Sequence, residues 1–340
     1  MSRPIHYWPD PTLGDLLWTG ASVPAGALAE PPGFAYAGSC KGAIALVLEY
    51  LRSTGTLRDR MSPVLAPRWM DYSVYRTMMG FCLPTVDVRS DASVLMAYHQ
   101  FGFPENMHRI MEFADFKKML VIEDCAHAPA SRYDGRDLGT IGRFGVYSFS
   151  KLVFCYALGG VAYGDPGFKD WLGQKRARAS RPLGLWIDGV KLVDEYWTSR
   201  HGETPFISKL RKATYSLYED GPEPAERSIR LWLAKRDAEI SARRLNYSRV
   251  LERTRSWGVC DGLEAEGITP SWIPLLVPEP KITPILSAVE AAGVRAGGGR
   301  FDVARFFIEP DYRPCVLLPC HGGIGEDVLH RTLDAVRACL

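Results

Sequence analysis

The chain contains the stretch Val121-Ile-Glu-Asp-Cys-Ala-His127 and, further along, the stretch Tyr147-Ser-Phe-Ser-Lys-Leu152. The first has the pattern of an apolar strand that ends in a carboxylate, and the second that of a strand that ends in a lone lysine. Parallel strands bring their carboxyl ends to one edge of a sheet, where α/β proteins bind their ligands. The sequence therefore predicts that Asp124 and Lys151 lie close together at a ligand-binding edge.

Short apolar runs alternate with helical patterns on both sides of these stretches. The pattern favours strands at 64–67, 83–87, 94–99, 119–124 and 159–164. A helix is expected over 104–114, because Pro104 stands at its start and apolar residues follow at helical spacing. Such alternation is typical of right-handed βαβ crossovers. We therefore predict an α/β protein with a mainly parallel central sheet.

The length of the chain indicates more than one domain. It has 340 residues, whereas single hydrophobic cores tend to stop growing near about 250 to 300 residues. We predict an N-terminal arm over 1–36, which is rich in Pro, Gly and Ala, a large α/β domain over 37–205 and a smaller α+β domain over 206–340. A long charged helix over 223–257 is expected to lead into the smaller domain.

The composition excludes several classes of partner. The chain has 41 basic and 39 acidic residues, a formal charge of +2, so neither a nucleic acid nor a membrane is an expected partner. Eight cysteines without a C-x-x-C pair or zinc-type spacing predict reduced thiols and no metal site. The first residues lack a signal-peptide pattern and no run approaches the roughly 18 apolar residues of a membrane helix. A cytoplasmic location is therefore expected.

The residues at the predicted edge suit pyridoxal 5′-phosphate (PLP). PLP chemistry needs a lysine for a Schiff base and a carboxylate that keeps the ring nitrogen protonated. Lys151 and Asp124 have these properties, and His127 has the polarity to bind the phenolic oxygen of the ring. Each also has an ordinary alternative: a surface lysine, an aspartate that caps a turn, or a histidine with no role beyond local hydrogen bonding. Their occurrence together, in this order, favours the cofactor site.

A second stretch, Gly38-Ser-Cys-Lys-Gly-Ala43, predicts a phosphate site. It forms a glycine-containing turn that enters an apolar helix, and a lysine in the first turn is mildly unfavourable unless an anion lies beside it. A phosphate would satisfy both the Lys41 ammonium and the N–H groups of Gly42 and Ala43. The alternative is a solvated lysine. Ser148 is either a further phosphate ligand or an ordinary strand residue.

Several motifs, taken together, resemble one protein family. They are Val94-Leu-Met-Ala-Tyr-His-Gln-Phe-Gly-Phe-Pro104, Val121 to Ala128, Tyr133-Asp-Gly135, Ser148-Phe-Ser-Lys151 with Gly159-Gly160, and Leu318-Pro-Cys-His-Gly-Gly323. The chain is similar, over roughly 38–165 and 314–340, to the DegT/DnrJ/EryC1/StrS family of fold type I PLP enzymes, mainly sugar aminotransferases. The resemblance implies a seven-stranded central sheet in the large domain.

The resemblance also implies roles for individual residues. Lys151 corresponds to the Schiff-base lysine, Asp124 to the partner of the ring nitrogen and His127 to the partner of the ring hydroxyl. Five further positions match as follows: Ala126 against one ring face, Trp69 as the stacking aromatic with Tyr72 as the alternative, and Lys41-Gly42-Ala43 at the phosphate.

Three departures from the family pattern are visible. Ala43 replaces the usual threonine, and the lysine loop Ser148-Phe-Ser-Lys151 is shorter than usual. Residues 216–220 read Ser-Leu-Tyr-Glu-Asp, where the family has the Gly-x-Asn-x-Arg segment of a neighbouring subunit. The resemblance otherwise implies a homodimer.

The resulting expectation is an aminotransferase that moves an amino group from an amino donor, with glutamate as the expected donor, to a keto sugar or a similar small carbonyl compound. Arg300, Arg305 and Arg313 are candidates for the donor carboxylate by residue type. One alternative is another PLP reaction on an amino acid: a lyase, a racemase or a condensing enzyme. A second alternative is a non-catalytic binding or regulatory protein.

Overall fold

A computed structural model describes residue 5 and residues 28–153, 155, 158–178, 205, 226–264 and 266–340. The strands are β1 (Phe34–Ala37), β2 (Pro63–Leu65), β3 (Leu83–Thr85), β4 (Val94–Tyr98), β5 (Leu120–Cys125), β6 (Arg132–Tyr133), β7 (Arg136–Asp137), β8 (Phe144–Ser148), β9 (Gly159–Tyr163), β10 (Trp272–Leu276), β11 (Gly297–Asp302) and β12 (Tyr312–Pro319). The helices in these ranges are α1 (Cys40–Ser53), α2 (Tyr72–Met79), α3 (Met107–Lys117), α4 (Pro166–Ala177), α5 (Glu226–Thr254), α6 (Glu279–Ala291) and α7 (Glu326–Cys339).

The central sheet has seven strands in the order β1-β9-β8-β5-β4-β2-β3. Strands β3, β2, β4, β5 and β8 pair in parallel, whereas β9 is antiparallel to both of its neighbours. The prediction of a mainly parallel, seven-stranded α/β sheet is therefore confirmed. The parallel pairs align the carboxyl ends of β4, β5 and β8, which form one edge of the sheet.

Element boundaries differ from the sequence prediction in two informative places. The strand of the lysine motif ends at Ser148, and Lys151 lies in a short 3-10 turn, Phe149–Lys151. The helix expected from Pro104 begins at Met107, because the Asn106 side chain accepts the Arg109 N–H and caps the helix there. A side-chain cap thus decides where this helix begins.

A second sheet of three antiparallel strands, β10-β12-β11, forms the core of the C-terminal part. Of these strands only β12 is predicted by the sequence, from the apolar run at 315–319. The sequence prediction missed β10, whose centre is Pro274, and β11, which opens with Gly297, Gly298 and Gly299. Proline and glycine are depleted in strands, so these segments give a weak strand signal although the pairing with β12 is complete.

Helix α5 joins the two hydrophobic cores. Near its start, Ile229, Leu231 and Trp232 pack with Phe149 of the lysine turn, and further along Val250 packs in the core of the C-terminal sheet. The long helix predicted over 223–257 is present as Glu226–Thr254. It therefore contacts both the sheet that carries the lysine and the smaller sheet.

The limits of the three predicted domains stay a prediction. The proposed arm over 1–36 lies mostly outside the described residues, although Ile5 forms a parallel bridge opposite Val294. Its N–H donates to the Gly293 carbonyl oxygen and its carbonyl oxygen accepts the Arg295 N–H, both at 2.8 Å. The segment 216–220 lies wholly outside them. Within the described ranges, none of the helices combines the length and the apolar character that crossing a membrane requires.

Candidate active site

The sheet edge carries the predicted pair of charged residues. Asp124 lies at the end of β5, and Lys151 lies in the turn that follows the neighbouring strand β8. On the other side of β5, Tyr98 is in register with Asp124. The edge therefore brings together side chains from three adjacent strands or their following turns.

Lys151, His127 and Tyr98 form a chain of hydrogen bonds. The Lys151 Nζ atom lies 2.6 Å from His127 Nε2, and the Tyr98 hydroxyl lies 2.5 Å from His127 Nδ1. Burial lowers the pKa of the Lys151 amine. Burial and the neighbouring Lys151 charge hold the pKa of His127 well below its usual value. Both side chains are thus biased toward their neutral forms, in which an amine can act as nucleophile or base.

Asp124 is 1% exposed and keeps one oxygen available. Its Oδ1 accepts the Ala126 N–H at 2.9 Å. Within the described part of the chain, Oδ2 has no hydrogen-bond donor. Burial raises the pKa of this carboxyl, while the Ala126 N–H and the Lys151 charge act in the opposite direction. A buried carboxylate with an open oxygen calls for a cationic N–H partner.

The predicted phosphate turn is present, but its amides are used differently. The Gly42 N–H donates to Ser39 Oγ at 2.9 Å, and the Ala43 N–H donates to the Ser39 carbonyl oxygen at 2.9 Å. The prediction that these two N–H groups are free for a phosphate is therefore wrong. Ser39 caps the helix locally, and the amides of Cys40 and Lys41 precede the first intrahelical bond at its positive end.

Gly159 lets this turn pack directly on the sheet. A β-carbon at Gly159 would lie 2.3 Å from the Ser39 carbonyl carbon and 2.6 Å from the Cys40 nitrogen. Gly159 is paired with Ser148 in the β8–β9 ladder. The turn at the start of α1 is therefore held against the strand pair that leads into Lys151.

The remaining predicted cofactor residues lie around the same edge. Ala126 and Ser148 are buried, and Ser148 Oγ lies 3.5 Å from Ser150 Oγ. Trp69 is half-exposed with its ring 6.2 Å from that of Tyr312, while Tyr72 is 74% exposed. Their roles toward a cofactor stay predictions, as does the choice between Trp69 and Tyr72.

The arginines proposed for a donor carboxylate have partners elsewhere or lie in the β11–β12 connection. Arg300 pairs with Glu279 at 2.8 Å, and Arg313 pairs with Asp311 at 2.9 Å. Arg305 has a backbone φ of 48°, and its carbonyl oxygen accepts the Asn106 N–H at 2.6 Å. A donor-binding role for any of the three is a prediction that these contacts do not support.

One group of potential metal ligands, His99, Glu123 and Cys125, lies just below the edge, with its ligand atoms within 4.8 Å of one another. The Glu123 carboxylate accepts N–H groups of Gly139 and Gly142 and contacts His99 Nε2 at 3.2 Å. Burial alone would raise the pKa of Glu123, but these hydrogen bonds lower it. Because the carboxylate oxygens are already engaged, the arrangement is explained as structural hydrogen bonding.

Sequence reasoning missed Arg243, which is fully buried in the middle of α5. Its guanidinium donates to Glu239 Oε1 at 2.7 Å and to the Ser271 carbonyl oxygen at 2.9 Å. It also reaches the carbonyl oxygens of Lys151 and Leu152 at 3.5 and 3.3 Å. An arginine in a charged helix gives no sequence signal of burial. Apart from Glu239 on the same helix, the partners of Arg243 are backbone carbonyl oxygens far away in the sequence.

Tyr98 was also missed, although a signal was available. It is the last residue of β4, one strand away from Asp124. Adjacent parallel strands place their last residues side by side, so the predicted strands 94–99 and 119–124 bring the end of β4 to Asp124, although their last residues would pair His99 rather than Tyr98 with it.

These residues fit PLP. The open Oδ2 of buried Asp124 suits a protonated ring nitrogen, and Lys151 suits a Schiff base. The positive end of α1 with Lys41 suits a phosphate, and His127 suits a polar ring substituent. The chemistry of the donor set therefore agrees with the cofactor that the sequence predicts.

Comparison with known proteins gives the class of the fold. The chain superimposes on the putative sugar aminotransferase Spr1654 from Streptococcus pneumoniae, PMP-form, with a TM-score of 0.63 and 14% sequence identity, over 100% of this chain and 97% of that one. The structure thus shares the α/β fold of that protein. Residues 85–169 match the DegT/DnrJ/EryC1/StrS aminotransferase family, which confirms the family resemblance over that segment.

Two curated relatives are similar over part of their length. GDP-perosamine synthase of Escherichia coli O157:H7 is 37% identical over 62 residues, 18% of this chain and 17% of that protein. The dTDP-3-amino-3,4,6-trideoxy-alpha-D-glucose transaminase of Micromonospora megalomicea subsp. nigra is 27% identical over 204 residues, 60% of this chain and 48% of that protein. The chain thus matches less than half the length of either relative.

Proposed function

We propose that this protein is a PLP-dependent aminotransferase. It would move an amino group from an amino donor, with glutamate as the expected donor, to a keto sugar or a similar small carbonyl compound in a biosynthetic pathway. The observation that carries the proposal is the meeting of Lys151 with buried Asp124, whose Oδ2 is open, at the carboxyl edge of the sheet. The named relatives, a perosamine synthase and an aminosugar transaminase, support a sugar acceptor.

Bound PLP would supply a carbonyl carbon for imine formation and a ring that accepts electrons from the donor's α-carbon. The protein's residues account for the other requirements. Asp124 stabilises positive charge at the ring nitrogen, and the start of α1 with Lys41 binds the phosphate. Lys151, whose pKa is lowered by burial, is the nucleophile and then the base that takes the proton from the donor's α-carbon.

We also propose that the enzyme is a cytoplasmic homodimer with small-molecule partners. Exposed apolar side chains concentrate between residues 61 and 86 of the described surface, where Met61 is 68% and Tyr72 is 74% exposed. A second copy of the chain would cover such side chains. A sizing measurement that finds an active monomer would refute the dimer.

The test of the reaction is a spectrum of the PLP-loaded protein before and after addition of glutamate. Conversion of the bound cofactor to its aminated form, followed by its return when a keto sugar is added, is the expected result. A spectrum unchanged by glutamate and by other amino donors would favour the alternative, a lyase, racemase or condensing reaction on an amino acid. The shortened lysine loop Ser148–Lys151 and the missing Asn motif over 216–220 are the sequence features that favour this alternative.

A further inference from the structure

His127 is fixed from several sides. Its ring stacks on Phe101, with ring centres 5.8 Å apart and planes 19° apart, and meets the Trp272 ring edge-on at 4.9 Å. The Ser271 hydroxyl donates to the His127 carbonyl oxygen at 2.6 Å. With the ring and its backbone held, the main property left to decide is which ring nitrogen carries the proton.

The Tyr98 hydroxyl decides that choice. It lies 2.5 Å from His127 Nδ1, and among the described residues this nitrogen is its one hydrogen-bond partner. Burial raises the pKa of Tyr98 well above its usual value, with the charge of Asp124 acting in the same direction. The hydroxyl therefore keeps its proton. If Nδ1 were protonated too, the hydroxyl oxygen would have to accept that proton, and the hydroxyl proton, turned away from the ring, would have no acceptor among the described residues.

We propose that Tyr98 is a positioning residue that holds His127 in the tautomer with its proton on Nε2. His127 then presents a hydrogen-bond donor to the Lys151 nitrogen, or to a ligand atom bound beside it. The bond from Tyr98 occupies the lone pair of Nδ1, and the Nε2 proton then points toward the Lys151 nitrogen 2.6 Å away. The catalytic role of this His127 tautomer rests on the proposed function, whereas the tautomer itself does not.

The tautomer of His127 affects the pKa of Lys151. A donor at Nε2 hydrogen-bonds to the lone pair of a neutral amine and cannot accept from an ammonium, so it lowers the pKa of the amine. The other groups that face this amine are Cys40 at the start of α1, Asp71 at the start of α2 and Asp124, all of which act to raise its pKa. Tyr98, through His127, thus opposes the effect of the two carboxylates.

With PLP bound, the same Nε2 proton would be available to a hydrogen-bond acceptor of the cofactor. Replacing Tyr98 by phenylalanine removes the donor to Nδ1 and leaves the ring geometry in place. Either ring nitrogen can then carry the proton. In the tautomer with an unprotonated Nε2, the histidine accepts from a Lys151 ammonium and stabilises it. We expect the pKa of Lys151 to rise by about one unit, a roughly tenfold smaller neutral fraction at a fixed pH below the pKa.

The first test needs only the wild-type sequence. Nitrogen-15 NMR of the full chain, labelled at histidine and freed of cofactor, distinguishes a protonated from an unprotonated ring nitrogen. The His127 signals are assigned by their loss in His127→Gln. The expected result is a neutral ring with the proton on Nε2. A proton on Nδ1, or a charged ring at neutral pH, overturns the proposal.

The second test measures Lys151 directly in Tyr98→Phe. The rate at which an acylating reagent modifies Lys151 is followed against pH by peptide mass spectrometry. The control is Tyr247→Phe, because Tyr247 is equally buried and its hydroxyl donates to the Leu263 carbonyl oxygen, away from the lysine. We expect the profile to move to higher pH in Tyr98→Phe alone. Equal profiles in Tyr98→Phe and wild type, or an equal shift in the control, overturn the proposal.

Neither readout depends on turnover. A protein that carries the Nε2 proton and shows the shifted Lys151 profile, but never aminates a carbonyl compound, would refute the proposed function and leave the inference about Tyr98 intact. A protein that transaminates with the proton of His127 on Nδ1 would do the reverse.

Discussion

The Arg243 guanidinium donates to the Ser271 carbonyl oxygen at 2.9 Å, and the Ser271 hydroxyl donates in turn to the His127 carbonyl oxygen at 2.6 Å. Arg243 also contacts the carbonyl oxygens of the lysine turn. One buried arginine thus connects both members of the His127–Lys151 pair, although they lie on different segments. The site is held by backbone carbonyls as much as by its own side chains.

Replacing Arg243 by methionine should destabilise the protein strongly. The change removes one partner of a buried ion pair and leaves the Glu239 carboxylate without its cationic partner, although the Gly322 N–H still donates to it, a loss of about 3 to 5 kcal/mol. Thermal unfolding measures it. The matched control is Arg253→Met on the same helix, whose pair with Asp334 is more exposed and should contribute less than about 1 kcal/mol. Equal losses in the two variants would contradict a special role for Arg243.

Lys151→Ala should abolish aminotransfer. Loss of the positioned base alone should reduce kcat by about 100- to 10,000-fold. Borohydride treatment of the PLP-loaded protein, followed by peptide mass spectrometry, should fix the cofactor on Lys151 in the wild type and nowhere in the variant. Lys169→Ala, at an exposed position of α4, serves as the control. Cofactor fixed on another lysine of the wild-type chain would show that the site has been misassigned.

Asp124→Asn should fold but react slowly. The asparagine oxygen can still accept the Ala126 N–H, whereas the amide has no negative charge to stabilise a protonated ring nitrogen. Loss of a neighbouring charge lowers the pKa of such a nitrogen by about 1 to 3 units, so kcat should fall by about 10- to 1,000-fold. Steady-state kinetics beside a thermal unfolding curve separates this effect from misfolding. Unchanged kcat would exclude the assigned role of Asp124.

Glu105 should make stability depend on pH. It is 4% exposed, its Oε2 accepts the Phe307 N–H, and burial together with the Asp302 charge raises its pKa to about 8. The folded state then binds the proton more tightly than the unfolded state, so the contribution to stability is complete below the ordinary pKa of 4.5 and is lost as the pH rises to about 8. The slope is at most about 1.4 kcal/mol per pH unit.

Glu105→Gln keeps the acceptor for Phe307 and removes the ionisation. Melting temperatures measured between pH 5 and pH 9, a range chosen to bracket about 8, should fall less steeply in this variant than in the wild type. Glu112→Gln, at an exposed position of α3, should leave the slope unchanged. A wild-type slope that survives in Glu105→Gln would assign the effect to another group.

Sequence reasoning recovered the parts of the site that local pattern encodes. Asp124 and Lys151 each end a recognisable segment, and alternating strands and helices predict that parallel strands place them at one edge. It failed where a tertiary contact decides. Whether the Gly42 amide is free depends on the Ser39 side chain, and the burial of Arg243 depends on carbonyl oxygens from segments far away in the chain.

Helix α5 has 29 residues, a length of about 43 Å, and is anchored near its two ends in different cores. Arg243 lies between those anchors and contacts the lysine turn. A shift of the smaller sheet that moves α5 would therefore also move the lysine turn, through the contact of Arg243 with its carbonyl oxygens. The position of the Lys151 main chain therefore depends on how the smaller sheet packs against α5.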